Sequence, residues 1–188
     1  IGGNHDKSMV DEVDTRWFKY SIKKSIQWTK ENLSKESLTY LDSLNLREDI
    51  TIGNYNLILA HGSPKRSSPF QYIFNEYDIK NIEPLIFNSN ILFIGHTHVP
   101  SCYYNQGEGW KKNKSKDIEI NPSLHYVINV GSVGQPRDGN PKSSYVVFNP
   151  TNNYLEFKRV EYNIEEVKQK FNETDLPREF ADRLEQGI

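Results

Sequence analysis

The fold is decided by the stretch Ile91-Leu92-Phe93-Ile94-Gly95-His96-Thr97-His98-Val99-Pro100. Its first four residues are apolar on both faces, which is typical of a β-strand buried between two layers. The six that follow include glycine and proline, which favour a loop, and carry two histidines. The stretch therefore predicts an inner strand that ends in a polar loop, the place where α/β proteins build ligand sites.

A second strand and loop of the same kind lie earlier in the chain. The apolar run Leu57-Ile58-Leu59-Ala60 leads directly into His61-Gly62-Ser63-Pro64. This run is the second half of a predicted hairpin, with a first strand at 50–52 and a tight turn at Gly53-Asn54. A third glycine-containing segment, Ile1 to Asp6, is predicted to be the end of a strand that enters a loop.

Apolar spacing and capping residues predict the remaining elements. Helices are expected at 15–32, after Ser34 with Leu38, Leu41 and Leu44 on one face, from Asp78 with a restart at Pro84, from Asn163 to 171, and from Leu176 to Gly187. Strands are expected at 125–130, 143–149 and 153–160, with an exposed loop at 105–116. This mixture predicts an α/β layered fold, with residues 1–188 forming one domain.

Composition narrows the class of protein. The 188 residues include 12% aromatics, more than a disordered chain carries. The formal net charge of -2 gives no general attraction to nucleic acid or to an acidic membrane surface. Cys102 is the single cysteine, so an internal disulfide is excluded and a reducing, cytoplasmic location is expected. Nothing in the composition indicates the oligomeric state.

Four of the five histidines lie in glycine-containing loops at predicted strand ends: His5, His61, His96 and His98. Such loops gather at one edge of an α/β sheet. His96 and His98 are two residues apart, so an extended backbone would direct both imidazoles to one side. Imidazoles bind transition metals, and the Asn4 amide oxygen is a further donor. Each motif alone also fits an ordinary turn or a buried, hydrogen-bonded histidine, but their joint occurrence favours a metal site.

Two further features bear on chemistry. His5 lies beside Asp6, and a carboxylate can orient an imidazole and keep it protonated for proton donation to a leaving group. Arg137, beside glycines and Pro136, is a candidate for binding an anionic substrate, although a solvated surface charge fits equally well.

The motifs together resemble a known family. Gly3-Asn4-His5-Asp6, Ala60-His61-Gly62 and Gly95-His96-Thr97-His98 resemble the last three metal-site motifs of the calcineurin-like metallophosphoesterase superfamily. The run 129–138 and the ending from 162 to 184 resemble its small bacterial phosphodiesterase branch. The resemblance implies a layered sandwich of two mixed β-sheets flanked by helices.

The resemblance also implies a site with two divalent metal ions. Mn²⁺ is the first expectation, with Fe, Co²⁺, Ni²⁺ or Zn²⁺ as alternatives. By motif, one ion would be bound by Asn4, His61 and His96, and the other by His98. His5 would contact the phosphoryl group or protonate the leaving oxygen, and Asp6 would orient His5. A metal-bound hydroxide would attack phosphorus in line.

The implied function is hydrolysis of phosphate esters, as a phosphodiesterase or a phosphatase. A non-catalytic scaffold on the same fold is the alternative. The superfamily's opening Asp-x-His and Gly-Asp motifs are absent from these 188 residues. We therefore expect the chain to lack N-terminal strands of the fold and, by itself, to be a weak or inactive enzyme.

Overall fold

The computed structural model describes residues 1–16 and 18–188, which form two β-sheets and a set of short helices. The helices are α1 (Asn4–Met9), α2 (Tyr20–Asn32), α3 (Lys35–Ser43), α4 (Glu76–Lys80), α5 (Glu83–Ile86), α6 (Ile164–Asn172) and α7 (Glu179–Asp182). The strands are β1 (Arg47–Ile52), β2 (Tyr55–Ala60), β3 (Ile91–Ile94), β4 (Ser101–Asn105), β5 (Trp110–Asn113), β6 (Asp117–Glu119), β7 (His125–Asn129), β8 (Ser143–Asn149) and β9 (Tyr154–Val160).

The larger sheet has six strands in the order β1-β2-β3-β7-β4-β5. Its inner strands β2, β3 and β7 are parallel, while β1, β4 and β5 pair antiparallel with their neighbours. The smaller sheet, β6-β9-β8, is wholly antiparallel. The predicted two-sheet α/β fold is confirmed, although only the larger sheet is mixed. Because the three parallel strands end at the same edge, the loops that follow them meet there.

The inner strands are buried on both faces. One apolar cluster contains Ile58, Leu92 and Val127 together with residues of α4 and α5. The other contains their neighbours in sequence, such as Leu57 and Ile91, together with residues of β6 and β9. The alternation follows from the period of two along a strand, so the helices cover one face of the large sheet and the small sheet covers the other. This covering of both faces explains why the runs 57–60 and 91–94 are apolar at successive positions.

The structure corrects two loop predictions. The expected loop at 105–116 contains strand β5, which pairs with β4. Trp110 of this strand is buried, whereas Lys111 and Lys112 are exposed. An edge strand with exposed lysines resembles a polar loop in the sequence. The expected strand end at 1–6 is instead the start of α1, where the backbone N–H of Gly3 donates to the Asp6 carboxylate at 2.7 Å.

The helix predictions are mostly confirmed, with shifted boundaries. The first predicted helix, 15–32, corresponds to α2, which begins at Tyr20; residue 17 lies outside the described residues. Ser34 and Asn163 cap α3 and α6 as predicted. Helix α4 begins two residues before Asp78, because Asn75 provides the cap. Within the two described ranges, no helix combines the length and apolarity needed to cross a membrane.

The side-chain amide of Asn129, at the end of β7, ties together the loops at this edge. Asn129 is only 1% exposed. Its Nδ2 donates to the Gly95 carbonyl at 2.6 Å and to the Thr97 hydroxyl at 2.9 Å. Its Oδ1 accepts from the Gly131 backbone N–H at 3.0 Å. One buried side chain therefore links the loop after β3 to the loop after β7.

We predict that Asn129→Ala will lower the free energy of unfolding by about 3 kcal/mol, since it leaves several buried polar groups without partners. Asn149→Ala is the matched control, because Asn149 is exposed and makes a single turn hydrogen bond to Thr151. The control should cost less than about 1 kcal/mol. Urea unfolding of both variants measures the difference, and equal losses would contradict the role given to Asn129.

Candidate metal centre

The candidate centre lies where the parallel strands end. The Gly95 N–H donates to the His61 carbonyl at 2.9 Å, and the Val130 N–H donates to the Ile94 carbonyl at 2.8 Å. These bonds continue the pairing of the parallel strands into their loops. The first turn of α1 packs against the same edge, because Gly3 lies directly over the ring of His61. Three separate segments of sequence are thereby brought to one place.

Asn4, His61 and His96 form a row of contacting donor atoms. The Oδ1 of Asn4 lies 3.1 Å from Nε2 of His61, which in turn lies 3.0 Å from Nδ1 of His96. All three atoms carry or can present a lone pair, so their convergence favours a positive charge between them. A proton on Nε2 of His61 would satisfy only one of these two contacts and leave the other between two lone pairs.

Backbone carbonyls orient two of the imidazoles. Nε2 of His96 lies 2.9 Å from the carbonyl of Phe70, and Nδ1 of His98 lies 2.6 Å from the carbonyl of Gln135. A carbonyl only accepts, so these nitrogens carry the protons. The free lone pairs are then at Nδ1 of His96 and Nε2 of His98, the nitrogens available to a metal.

The expectation of an extended backbone through His96 and His98 is wrong. Both residues have positive φ values, 63° and 62°, in the left-handed region that non-glycine residues rarely adopt. The two rings nevertheless line one cavity of about 330 Å³, together with His61. His98 bonds to Gln135, while His96 bonds to His61, so the two imidazoles of the His-x-His pair have different neighbours.

Burial keeps the histidines of the row neutral. Loss of hydration lowers the pKa of His61 and of His96 from 6.5 to about 4. The charge of Asp6 opposes this effect at His61, and charge on His61 would lower the pKa of His96 further. Burial also lowers the pKa of His98. Neutral imidazoles at physiological pH are in the protonation state that binds metals.

His5 and Asp6 differ from the sequence expectation. Asp6 does not hydrogen-bond to His5; its carboxylate caps α1 at Gly3 and acts on His5 only through charge. Loss of hydration lowers the pKa of His5, and this outweighs the raising effect of Asp6. Arg137 lowers the pKa of His5 further. In the free protein His5 is thus shifted toward its neutral form and is not held protonated.

Arg137 lies at the mouth of the centre. Its backbone N–H donates to the His98 carbonyl at 3.1 Å, and its guanidinium donates to the Gln135 side chain at 2.8 Å. Its charge lowers the pKa of both His5 and His98, so the guanidinium is close to both rings. Each residue singled out in the sequence is therefore at or beside this edge of the sheet.

The row of Asn4, His61 and His96 fits a metal ion by its spacing. Ligand atoms about 2.1 Å from one ion and at right angles to each other lie about 3 Å apart. The observed separations are 3.0 and 3.1 Å. All three donors are neutral, and among residues 1–16 and 18–188 no three His, Cys, Asp or Glu side chains form a ready-made metal set. The residues that fit are thus two imidazoles and one amide.

Sequence reasoning missed the groups that hold this row in place. Asn129 had a weak signal, as a polar residue at the end of a buried strand before Gly131. The carbonyls of Phe70 and Gln135 gave no signal in the sequence, because any residue can supply a main-chain carbonyl. Gly3 was expected to permit a turn, but its role here is to leave room for the His61 ring.

A sequence profile of the calcineurin-like phosphoesterase superfamily domain matches residues 1–153. The chain belongs to this superfamily. Phosphoester hydrolysis with divalent metal ions is the activity typical of this superfamily, and the resemblance inferred from the histidine motifs is confirmed.

Individual relatives agree. An uncharacterized protein of Methanocaldococcus jannaschii is 33% identical over 184 residues, covering 98% of this chain and 73% of the relative. The crystal structure of a metallophosphoesterase from Sphaerobacter thermophilus is 33% identical, with a TM-score of 0.79 over 99% of this chain and 75% of that chain. A hypothetical protein of Pyrococcus horikoshii shares the fold, with a TM-score of 0.76 at 18% identity over 99% of this phosphoesterase and 71% of that chain.

We predict that Gly3→Ala will weaken metal binding by at least about tenfold if His61 is a ligand, because the added methyl group would displace its ring. A Cβ at this position would lie 2.9 to 3.1 Å from three ring atoms of His61. Gly134→Ala is the control, since its Cβ would meet nothing within 4 Å. Calorimetric titration with Mn²⁺ measures both affinities, and an unchanged affinity in Gly3→Ala would exclude His61 as a ligand.

A pH prediction follows for metal-free protein. His61 and His96 have a pKa of about 4 when folded and an ordinary value of 6.5. Their contribution to stability is complete above pH 6.5 and is lost as the pH falls toward about 4, because the unfolded chain gains protons that the folded chain does not. The melting temperature should fall between pH 7 and pH 5, and His96→Gln should reduce that fall.

The control for this measurement is His125→Gln, at the other end of β7, which should retain the wild-type pH dependence. If His96→Gln and His125→Gln showed the same dependence of melting temperature on pH, burial of His96 would not be the cause of the acid sensitivity.

Proposed function

We propose that this phosphoesterase hydrolyses phosphate esters at a dinuclear centre formed by the histidine loops. One divalent ion, with Mn²⁺ as the first choice, would be held by Asn4, His61 and His96. A second would be bound by His98, leaving its other positions to water, substrate or further ligands. The ions would supply positive charge for the phosphate oxygens and lower the pKa of a bound water.

The observation that carries this proposal is the contact row of Asn4, His61 and His96 at 3.1 and 3.0 Å. Three neutral donors from distant parts of the chain meet at the spacing of ligands around one ion. Phe70 orients His96 so that its unprotonated nitrogen faces the row. A structural histidine cluster would have no requirement for an asparagine oxygen aimed at the same point.

His5 and Arg137 would act on the substrate in this proposal. His5 lies at the start of α1, immediately after Asn4, partly open to solvent and with no hydrogen-bond partner among the described residues. Arg137 is likewise partly open to solvent and lies near His5. A bound phosphate anion would raise the pKa of His5, since an opposite charge favours the protonated form. His5 would then hold a proton at the moment when the leaving oxygen needs one.

Arg137 would contribute binding more than proton transfer. Its guanidinium can donate two parallel hydrogen bonds to phosphate oxygens. Its position is fixed at the backbone by His98 and at the side chain by Gln135, so little freedom is lost on binding. Partial burial lowers the pKa of Arg137, yet an arginine remains charged at neutral pH.

The roles of His5 and His96 can be separated by experiment. In a protein completed with the superfamily's opening motifs, His5→Ala should reduce turnover of bis-p-nitrophenyl phosphate by about 10² to 10⁴ while leaving metal content unchanged, because His5 would act on the substrate. His96→Ala should lower the metal content itself. Metal content is measured by mass spectrometry after loading with Mn²⁺ and desalting, and turnover by p-nitrophenolate release.

His125→Ala is the histidine control and should leave both quantities unchanged, since His125 lies at the opposite end of β7. Equal metal loss in His5→Ala and His96→Ala would show that the two roles are misassigned. Stoichiometric metal binding without any hydrolysis would favour a non-catalytic member of the superfamily.

A further inference from the structure

An aromatic ladder leads away from the candidate metal centre. The ring of Tyr72 stacks on the imidazole of His96, with centroids 3.9 Å apart and planes inclined by 12°. The ring of Phe74 stacks on Tyr72 at 5.2 Å and 16°. Near-parallel stacking on both partners places Tyr72 between the ligand imidazole and the Phe74 ring. The ladder thus begins at a residue of the centre and ends two rings away.

The outer end of this ladder is open to solvent. Tyr72 is 44% exposed and Phe74 is 58% exposed, whereas Ile73 between them is only 4% exposed. The segment is extended, so alternate side chains point to the surface and to the core. Contact of the Tyr72 and Phe74 rings with water is unfavourable in free energy. Polar residues at these two positions would have avoided that cost. A planar hydrophobic face beside a polar centre is a feature of small-molecule sites.

The ladder is held rigidly. The hydroxyl of Tyr103 donates to the Phe74 carbonyl at 2.9 Å, and the Phe74 N–H donates to the Asp78 carboxylate at 2.8 Å. Ile73 is anchored in the core beneath. Both backbone polar groups of Phe74 are therefore satisfied inside the protein, and the ring is presented in a fixed place. A preorganised ring loses little freedom when a ligand stacks on it.

The charged mouth of the centre lies on the same side. The backbone N–H of Arg137 donates to the carbonyl of His98 at 3.1 Å, two residues after the His96 imidazole that Tyr72 covers. An anionic group at the centre and a planar group on the ladder would therefore be neighbours within one ligand.

We propose that Tyr72 and Phe74 form a stacking platform for an aromatic ring carried by the substrate, which makes nucleotides and other aryl-bearing phosphate esters the preferred substrate class. This assignment rests on the proposed function, since it places the phosphate of the ligand at the metal centre. In a nucleotide the sugar separates the base from the phosphate, so a base whose phosphate is held at the centre would extend from it toward the rings of the ladder. Phe74 is the specificity residue, because Tyr72 also supports His96.

A matched pair of ligands isolates the platform. Adenosine 5′-monophosphate and ribose 5-phosphate differ only in the base, so their affinity ratio reports on stacking alone. Calorimetry on Mn²⁺-loaded protein should give at least about tenfold tighter binding of the adenosine compound, the size expected for one stacked base. Phosphate release is followed in the same samples, so that turnover is not mistaken for binding.

Variants at Phe74 complete the test. Phe74→Ala and Phe74→Leu should remove most of the tenfold preference and leave ribose 5-phosphate binding within about twofold, while Phe74→Trp should retain the preference, because stacking needs a planar ring. Phe87→Ala is the matched control. Phe87 is 69% exposed and stacks on His125, away from the centre, so its removal should change neither affinity.

Failure of this proposal is distinguishable from failure of the proposed function. Equal affinities for the two ligands in wild type, with intact hydrolysis of bis-p-nitrophenyl phosphate, would overturn the platform alone. A change of oligomeric state in Phe74→Ala without any change in the affinity ratio would also overturn it and make the patch an interface between copies. Absence of both phosphate binding and hydrolysis in wild type would overturn both proposals.

Discussion

The whole centre depends on one buried amide. The inner strands bring their loops to the same edge, where backbone pairing continues only as far as Gly95 and Val130, so the residues beyond need another link. Asn129 supplies that link through hydrogen bonds to Gly95, Thr97 and Gly131. Two of these bonds hold the residues on either side of His96, which like His98 has a left-handed backbone. Such a conformation costs about 1 to 3 kcal/mol per residue and persists only where the surroundings impose it.

Several parts of the fold were predictable because their cause is local in the sequence. The runs 57–60 and 91–94 are apolar on both faces, and a strand covered by helices on one side and by a sheet on the other needs that pattern. The Gly53-Asn54 turn and the caps at Ser34 and Asn163 are equally local. Strand β5 was not predicted because its stability comes from pairing with β4 and from burial of Trp110, whereas its exposed lysines resemble a polar loop in the sequence.

The sequence indicated which residues come together in the candidate site, but not how their rings are oriented or which of them are charged. The motifs around Asn4, His61 and His96 indicated that these side chains meet. The sequence could not indicate which ring nitrogen is free, because that depends on main-chain carbonyls contributed by distant residues. Nor could it indicate the charge of His5: the neighbouring Asp6 suggested protonation, whereas the surrounding protein mass, visible only in three dimensions, shifts the pKa the other way.

The short segment that connects β2 to α4 has an evolutionary consequence. Its Phe70 carbonyl sets the free nitrogen of His96, and its Tyr72 ring covers the face of the same imidazole. An insertion or deletion here would disturb the imidazole of His96 along with whatever the aromatic rings contact, so this connection can change length only at the expense of the candidate centre. Phe74 makes no contact of that kind to the imidazole. Point substitutions at Phe74 are therefore the changes by which descendants of this protein could alter their ligand preference without disturbing the His96 imidazole.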